Sequence, residues 1–217
     1  TVNDYNVFFY YSEIDNCYLA RIPDLAGCIS DGETPEEAVR NVRELGREWL
    51  EIAFEDGTEI PVPTGKAPAS NDRPSVFDIA VYILDKTGSI TTKALQKLCY
   101  YCKAWSCVYW SKPIFPEGFE AWTGGPINRD LWDHHSRLRM AKKDLFKPYA
   151  THQLDANMKQ FVDSVLFVYE DFEADELGDL THFEEPWKQT RGNLPSDASC
   201  TDVISDELMR SYYGKAI

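Results

Sequence analysis

The sequence lacks the long apolar run of a membrane helix and the leader of a secreted protein. No stretch of about 18 apolar residues occurs, which predicts that no helix of this chain crosses a bilayer. Residues 1–8 contain no basic region followed by an apolar one, so we expect a cytoplasmic protein. In that compartment its six cysteines are expected to be reduced thiols rather than a disulfide framework.

Positive charge is also scarce. Lys and Arg number 22 against 36 Asp and Glu, which gives a net charge of −14. Residues 1–65 contain 14 acidic and 4 basic side chains, so most of the excess lies there. A free-standing nucleic-acid binder needs the opposite sign, because Lys and Arg make the phosphate contacts. The balance favours a basic partner, or simply good solubility.

The motifs of common catalytic sites are missing: the P-loop, the dinucleotide fingerprint, the Gly-x-Ser-x-Gly elbow and the His-Glu-x-x-His helix. Asp15, Asp24 and Asp31 would suit a metal-dependent nuclease, but Asp is also common in turns, where it bonds its own backbone. Cys99 and Cys102 lack the second Cys pair of a zinc site, so we interpret them as core residues. We therefore expect no metal, no cofactor and no enzyme activity.

Prolines divide the chain into two lobes. Residues 61–74 contain four prolines and almost no large apolar side chain, which predicts an interdomain linker. Before it, in residues 1–60, period-two alternation predicts strands at residues 5–11, 17–22 and 28–30.

A helix follows these strands. Thr34 as N-cap, Pro35 in the first turn and Glu37 mark its start, and Gly57 marks its end. Its apolar face is predicted to consist of Ala38, Val42, Leu45, Trp49 and Ile52. A unit of about 60 residues buries only ~60% of its unfolded surface. We therefore expect it to pack on a second copy, on the second lobe or on a partner.

Residues 75–217 have mainly helical periodicity. Ser75 with Asp78 forms a capping box, and Thr91 or Thr92 begins a long helix that ends near Tyr109. Further helices are predicted at about residues 154–172 and 177–181 and after Ser205, and residues 112–128 are irregular or weakly stranded. The fold class is therefore α+β, a β-β-β-α lobe followed by a mainly α-helical lobe.

Aromatic residues are abundant in the second lobe, which holds five tryptophans: Trp105, Trp110, Trp122, Trp132 and Trp187. We expect Trp105 in the core. Trp122 and Trp187 lie in segments rich in turn-forming residues, where a rigid aromatic side chain is a common binding anchor. A tryptophan can equally fill the interior of a small helical lobe, so both interpretations stay open.

Three strings in the first lobe match a pattern known from another protein family: YLARIPDLAGC at residues 18–28, DGETPEEA at 31–38 and IPVP at 60–63. Through them, residues 5–63 resemble the N-terminal domain of HicB-type antitoxins. The resemblance implies a degenerate RNase H-like fold without nuclease activity and a role in masking a toxin.

Four strings in the second lobe point to another family: LQKLCYYCKAW at residues 95–105, FEAWTGGP at 119–126, LTHFEEPWKQTR at 180–191 and ISDELMRSYY at 204–213. Through them, residues 75–213 resemble the Panacea domain of antitoxins, a group that includes SocA-like proteins. That family pairs with chemically unrelated toxins, most of which act on translation.

Together the resemblances imply a non-enzymatic antitoxin of a bacterial or phage type II system, which binds a cognate toxin directly. We expect a basic toxin, because toxins that handle RNA tend to be basic.

HicB antitoxins often have a DNA-binding tail. Here the Panacea lobe takes the place of that tail and contains no basic recognition helix, which argues against DNA binding. An adaptor that delivers a toxin to a protease is the alternative. An exposed sheet edge would allow a homodimer.

The toxin-binding surface is hypothesised to be formed or supported by seven residues: Trp122, Gly125, Pro126, His182, Pro186, Trp187 and Arg191. The competing interpretation is that Gly125, His182 and Pro186 only form turns, for which Gly and Pro need no other reason.

Overall fold

The computed structural model describes residues 1–63 and 73–215. Of the predicted linker at 61–74, residues 64–72 lie outside the described part. The first lobe consists of a 3₁₀ turn at Val2–Asp4, the strands β1 (Phe8–Ser12), β2 (Cys17–Arg21) and β3 (Ile29–Gly32), and helix α1 (Pro35–Asp56). The predicted β-β-β-α order is confirmed.

The three strands form an antiparallel sheet in sequence order. Ala20 of the central strand lies opposite Phe9 on one side and Ser30 on the other. Helix α1 begins where expected, since the Thr34 hydroxyl accepts a hydrogen bond from the Glu37 backbone N–H. It ends at Gly57, whose φ of 68° is the left-handed conformation that glycine adopts most easily.

Ala38 and Val42 of the predicted apolar face of α1 are buried and Leu45 and Trp49 are half-buried, but the last residue of that face is exposed. Ile52 is 58% exposed, and Ala53 is buried instead. A helix of 22 residues is about 33 Å long, whereas a strand of five residues spans only about 17 Å. The last turns of α1 therefore have too little sheet to cover them.

The second lobe is mainly helical, as predicted. Its helices are α2 (Val76–Thr87), α3 (Thr92–Tyr109), α4 (Arg129–His135), α5 (Lys143–Phe146), α6 (Ala156–Tyr169), α7 (Ala174–Phe183), α8 (Glu185–Arg191) and α9 (Asp206–Tyr213). Helix α3 is central, with every residue from Leu95 to Cys107 buried, and it contacts α2, α6, α7 and α9. The predicted N-caps Ser75, Thr91 and Ser205 each accept the expected backbone hydrogen bond.

Short strands complete this lobe: β4 (Ile90–Thr91), β5 (Phe119–Trp122), β6 (Gly125–Ile127), β7 (Met140–Ala141) and β8 (Val203–Ile204). Strand β5 pairs with both β6 and β8, and β4 pairs with β7. One interpretation of the sequence is wrong here. Trp187 lies in helix α8 rather than in a turn, because Pro186 occupies the first helical turn, where its fixed φ favours a helix.

The first lobe packs on the second lobe. Of the three packing partners considered for this small unit, the structure therefore shows the second lobe. Successive side chains of β1 point to opposite sides of the sheet, and both sides meet aromatic residues of the second lobe. The Phe8 and Trp105 ring centroids are 4.9 Å apart, and Tyr10 meets Phe172 edge-on at 4.9 Å. The Tyr109 hydroxyl also donates to the Val7 carbonyl. Buried residues of both lobes thus form one hydrophobic core.

The cysteine pair and the acidic turns have ordinary local settings. Cys99 and Cys102 are buried on α3, where burial raises the pKa of both thiols. Asp15 accepts a hydrogen bond of 2.7 Å from the Ser12 hydroxyl within the β1–β2 turn. Among the described residues, no three His, Cys, Asp or Glu side chains are placed to hold a metal ion.

No helix within residues 1–63 and 73–215 is long and apolar enough to cross a membrane.

Candidate functional site

The structure brings the seven hypothesised residues together where the β5–β6 hairpin meets helices α7 and α8. Trp122 and Gly125 flank the two-residue turn of the hairpin, and Pro126 follows in β6. His182 lies near the end of α7, and α8 contributes Pro186, Trp187 and Arg191. Segments about 60 residues apart in the chain therefore build one cluster.

Trp187 connects the helices to the hairpin. Its indole N–H donates a hydrogen bond of 2.8 Å to the Trp122 carbonyl. Its ring lies 4.5 Å from the His182 ring, and the Arg191 guanidinium lies 4.9 Å from its centroid. The side chain is only half-buried, so one part of the ring is fixed by neighbours while another part faces outward.

Trp122 forms a second aromatic contact next to the first. Its indole N–H donates to Glu120 at 2.6 Å, and its ring lies 5.0 Å from the Trp132 ring. The Arg129 guanidinium lies 4.7 Å from the Trp122 centroid and forms an ion pair with Glu120 at 2.8 Å. Trp122 and Trp132 are both half-buried. Sequence reasoning missed Trp132, although its place in the tryptophan-rich lobe was a signal.

Four of the seven residues are buried and support the surface from below: Gly125, Pro126, Pro186 and Arg191. A Cβ on Gly125, whose φ is 89°, would lie 2.6 Å from the Thr181 hydroxyl oxygen, so only glycine fits there. The Arg191 guanidinium donates to backbone carbonyls on several sides, those of Ala121, Pro195 and Ala198. The half-exposed members are Trp122, His182 and Trp187.

A buried lysine that sequence reasoning missed lies under the hairpin turn. The Lys97 ammonium donates to the Gly124 carbonyl at 2.8 Å and to the Pro126 carbonyl at 3.0 Å. Burial, with a smaller effect of the Lys93 charge, lowers the pKa of Lys97 to about 7. Burial and the nearby Lys97 charge also lower the pKa of His182. The two residues fix the turn that carries Trp122.

A small recess opens beside Trp122, with a volume of about 230 Å³. It is lined by Trp122, Thr123, Arg129, Ser199, Cys200 and Thr201. A recess beside exposed aromatic rings is a place where one side chain of a partner can insert. The arrangement suits protein recognition, because it combines half-exposed indole rings with a fixed guanidinium group.

A buried carboxyl group joins this cluster to the core between the lobes. Glu184, between α7 and α8, accepts hydrogen bonds from the Tyr213 hydroxyl at 2.6 Å and the Tyr101 hydroxyl at 3.3 Å. Burial raises the pKa of Glu184 to about 8, although the two hydroxyl donors oppose this shift. Tyr213 also packs on Trp105, with ring centroids 5.0 Å apart.

Glu184 should make the stability of the protein depend on pH. Its folded pKa of about 8 lies above the ordinary value of 4.5, so the folded state binds more protons between these limits. Its contribution is therefore present below about pH 4.5 and is lost as the pH rises through about 8. Glu184→Gln should flatten this fall in the free energy of unfolding, measured by urea denaturation across that pH range. Glu185→Gln, at the half-buried neighbouring position, should keep the wild-type slope. An unchanged slope in Glu184→Gln would contradict the assignment.

Two family models match successive segments of the chain. Residues 5–93 match the family model of the HicB-like antitoxins of bacterial toxin–antitoxin systems. Residues 95–188 match the family model of the antitoxin SocA-like Panacea domain. Both resemblances inferred from the sequence are confirmed, in the same order. No curated protein and no solved structure matches the chain. Six of the seven site residues lie within the second match, and Arg191 follows it by three positions.

Proposed function

Because the chain joins a HicB-like antitoxin domain to a SocA-like Panacea antitoxin domain, we propose that it is the antitoxin of a type II system and neutralises its toxin by direct binding. The observation that carries this proposal is the pairing of two antitoxin domains in one chain. Antitoxin domains imply a cognate toxin as partner, and they are generally not enzymes. The protein acts in the cytoplasm, by stoichiometric capture of the toxin rather than by turnover of a substrate.

The surface around Trp122 and Trp187 is the proposed toxin contact. Tryptophan and arginine are the side chains that most often dominate binding energy at protein interfaces. Here both indole rings are held by neighbouring groups, and the hairpin between them is fixed by Lys97 and Arg191. A surface that is already rigid loses little conformational entropy when a partner docks. The buried residues Gly125, Pro126 and Pro186 support this surface and do not touch the toxin.

The charge of the chain suits a basic toxin. A net charge of −14 attracts a positively charged partner over several ångströms and speeds its association. If the toxin acts on RNA, its active site is expected to be basic, and an acidic antitoxin competes there with the phosphates of the substrate. Translation is therefore the favoured target of the toxin.

Toxin half-life separates capture from delivery to a protease. The toxin is the product of the neighbouring gene, expressed with and without this chain, and its decay is followed after synthesis stops. Capture predicts that growth is rescued and that the toxin half-life is unchanged or longer, because the complexed toxin persists in inactive form. A half-life that this chain shortens would contradict capture and indicate an adaptor. Failure to rescue growth would contradict both functions.

A further inference from the structure

An acidic surface lies at the end of helix α1 and in the residues that follow it. Residues 48–62 contain five acidic side chains and no basic one: Glu48, Glu51, Glu55, Asp56 and Glu59. All five are exposed, and none of them forms an ion pair within residues 1–63 and 73–215. Like charges this close repel one another, so the surface favours a partner of opposite charge.

The acidic surface also contains large apolar side chains. Phe54 and Val62 are each 80% exposed, and Ile52 is 58% exposed. A single exposed apolar residue is ordinary, but three that are each more than half exposed in one short acidic segment are typical of a contact surface. We define the acidic surface as these three residues together with the five carboxylates.

A basic surface of similar make-up lies in the second lobe. Residues 137–147 contain five basic side chains and one acidic one, in a chain whose net charge is −14. Lys143 is paired with Asp85, but the other four form no ion pair in the described part of the chain: Arg137, Arg139, Lys142 and Lys147. Leu138 is 47% and Met140 is 41% exposed among them. These six residues are the basic surface.

The backbone of the basic surface is fixed to the start of helix α3. The Thr92 backbone N–H donates to the Arg139 carbonyl at 3.0 Å, and Met140 pairs with Thr91 in the β4–β7 ribbon. The Ser89 hydroxyl donates to the Ala141 carbonyl at 3.1 Å. The basic and apolar side chains are therefore presented by an ordered segment, as a docking surface requires.

We propose that the acidic surface of one chain docks on the basic surface of a second copy. The two surfaces match in both features, because each combines several unpaired charges of one sign with exposed apolar side chains. A phosphate backbone would neutralise the arginines but would leave Leu138 and Met140 uncovered. Since each copy contributes one surface of each kind, two copies can close a symmetric dimer with two equivalent contacts.

Charge reversal on each surface tests the proposal with the full chain. Sedimentation velocity is measured at about 0.05 M and 0.5 M salt, over a concentration series. The wild type should self-associate, and the higher salt should weaken the association because it screens the charges. Arg137→Glu with Arg139→Glu, and separately Glu51→Lys with Glu55→Lys, should each weaken self-association by about tenfold or more. Arg73→Glu with Lys159→Glu changes the same charge at exposed positions elsewhere and should leave it unchanged.

Mixing the two double variants gives the decisive measurement. The Arg137→Glu, Arg139→Glu chain keeps an intact acidic surface, and the Glu51→Lys, Glu55→Lys chain keeps an intact basic surface. An equimolar mixture of the two should therefore associate more strongly than either chain alone. Circular dichroism confirms that each variant is folded. A wild type that stays monomeric up to about 100 µM would overturn the proposal, because the proposed contact requires a dissociation constant below that concentration. A mixture that associates no more strongly than the separate double variants would overturn it as well. So would binding of a labelled DNA duplex that the Arg137→Glu, Arg139→Glu pair abolishes, without any self-association.

Discussion

Replacing Trp105 with alanine should lower the free energy of unfolding by about 3–5 kcal/mol, the usual cost of removing a fully buried tryptophan. Trp105 is fully buried in α3 and contacts both lobes at once. Its ring meets Phe8 at 4.9 Å and Phe9 at 5.4 Å in the first lobe, and Tyr213 at 5.0 Å in the second. Its indole N–H donates to the Tyr169 hydroxyl at 3.1 Å, which would be left without this partner.

Chemical denaturation followed by circular dichroism measures this effect. Because Trp105 joins the core of both lobes, we expect the whole chain to unfold in one transition in the wild type, and at a lower denaturant concentration in the variant. Trp49→Ala is the control, since Trp49 is half-buried in α1 and donates to the Ala26 carbonyl within the first lobe. Its effect should be clearly smaller. A loss below about 1 kcal/mol in Trp105→Ala would contradict the shared core.

Removing both half-buried tryptophans at the centre of the site should reduce toxin binding to a negligible level. Trp122→Ala with Trp187→Ala is expected to weaken the affinity at least about 100-fold, or roughly 3 kcal/mol, since central tryptophans are frequent hot spots. Both rings are partly exposed, so the fold should survive their removal better than the removal of Trp105. The affinity for the purified toxin and the rescue of growth are measured side by side, after circular dichroism has confirmed folding.

Two further variants distinguish direct contact of the tryptophan rings with the toxin from a purely structural role of these rings. Trp49→Ala removes a half-buried indole far along the chain from the site and should leave the affinity unchanged. Trp187→Phe keeps an aromatic ring but removes the hydrogen bond to the Trp122 carbonyl, so it should have an intermediate effect. A folded double variant that still binds and rescues like the wild type would remove this surface from the proposed function.

The helix starts were predictable from the sequence because their determinants are local. Thr34, Ser75 and Ser205 each accept a hydrogen bond from the backbone three residues further on, and all three begin a helix in the structure. The positions of the three strands of the first lobe followed from period-two alternation between turns, which also involves only neighbouring residues. The sequence strings that resemble the two antitoxin families were recognisable for the same reason, because each consists of residues close together in the chain.

The remaining features depend on contacts between distant parts of the chain. Lys97 lies in an apolar helix, and its burial depends on the carbonyls of Gly124 and Pro126, about 30 residues away. Nothing near Glu184 in the sequence indicates that Tyr101 and Tyr213 will bury its carboxyl group. Which of the seven site residues would be half-exposed, such as Trp187, was undetermined for the same reason.

The local structure around Pro186 was ambiguous for a different reason. Pro186 comes after two glutamates and precedes Trp187, and the same residue type is favoured both in turns and in the first turn of a helix. Distant contacts decide between the two, since Arg191 at the end of α8 bonds to the carbonyls of Ala121 and Ala198. Tertiary contacts of this kind stabilise a seven-residue helix that would not form alone.

Titration calorimetry of the purified chain with the product of its neighbouring gene tests the antitoxin function most directly. We expect a saturable, stoichiometric complex with a dissociation constant of about nanomolar order, and loss of toxin activity at equal molar amounts. Absence of binding heat and of any inhibition, with a toxin that remains fully active in excess of this chain, would contradict it.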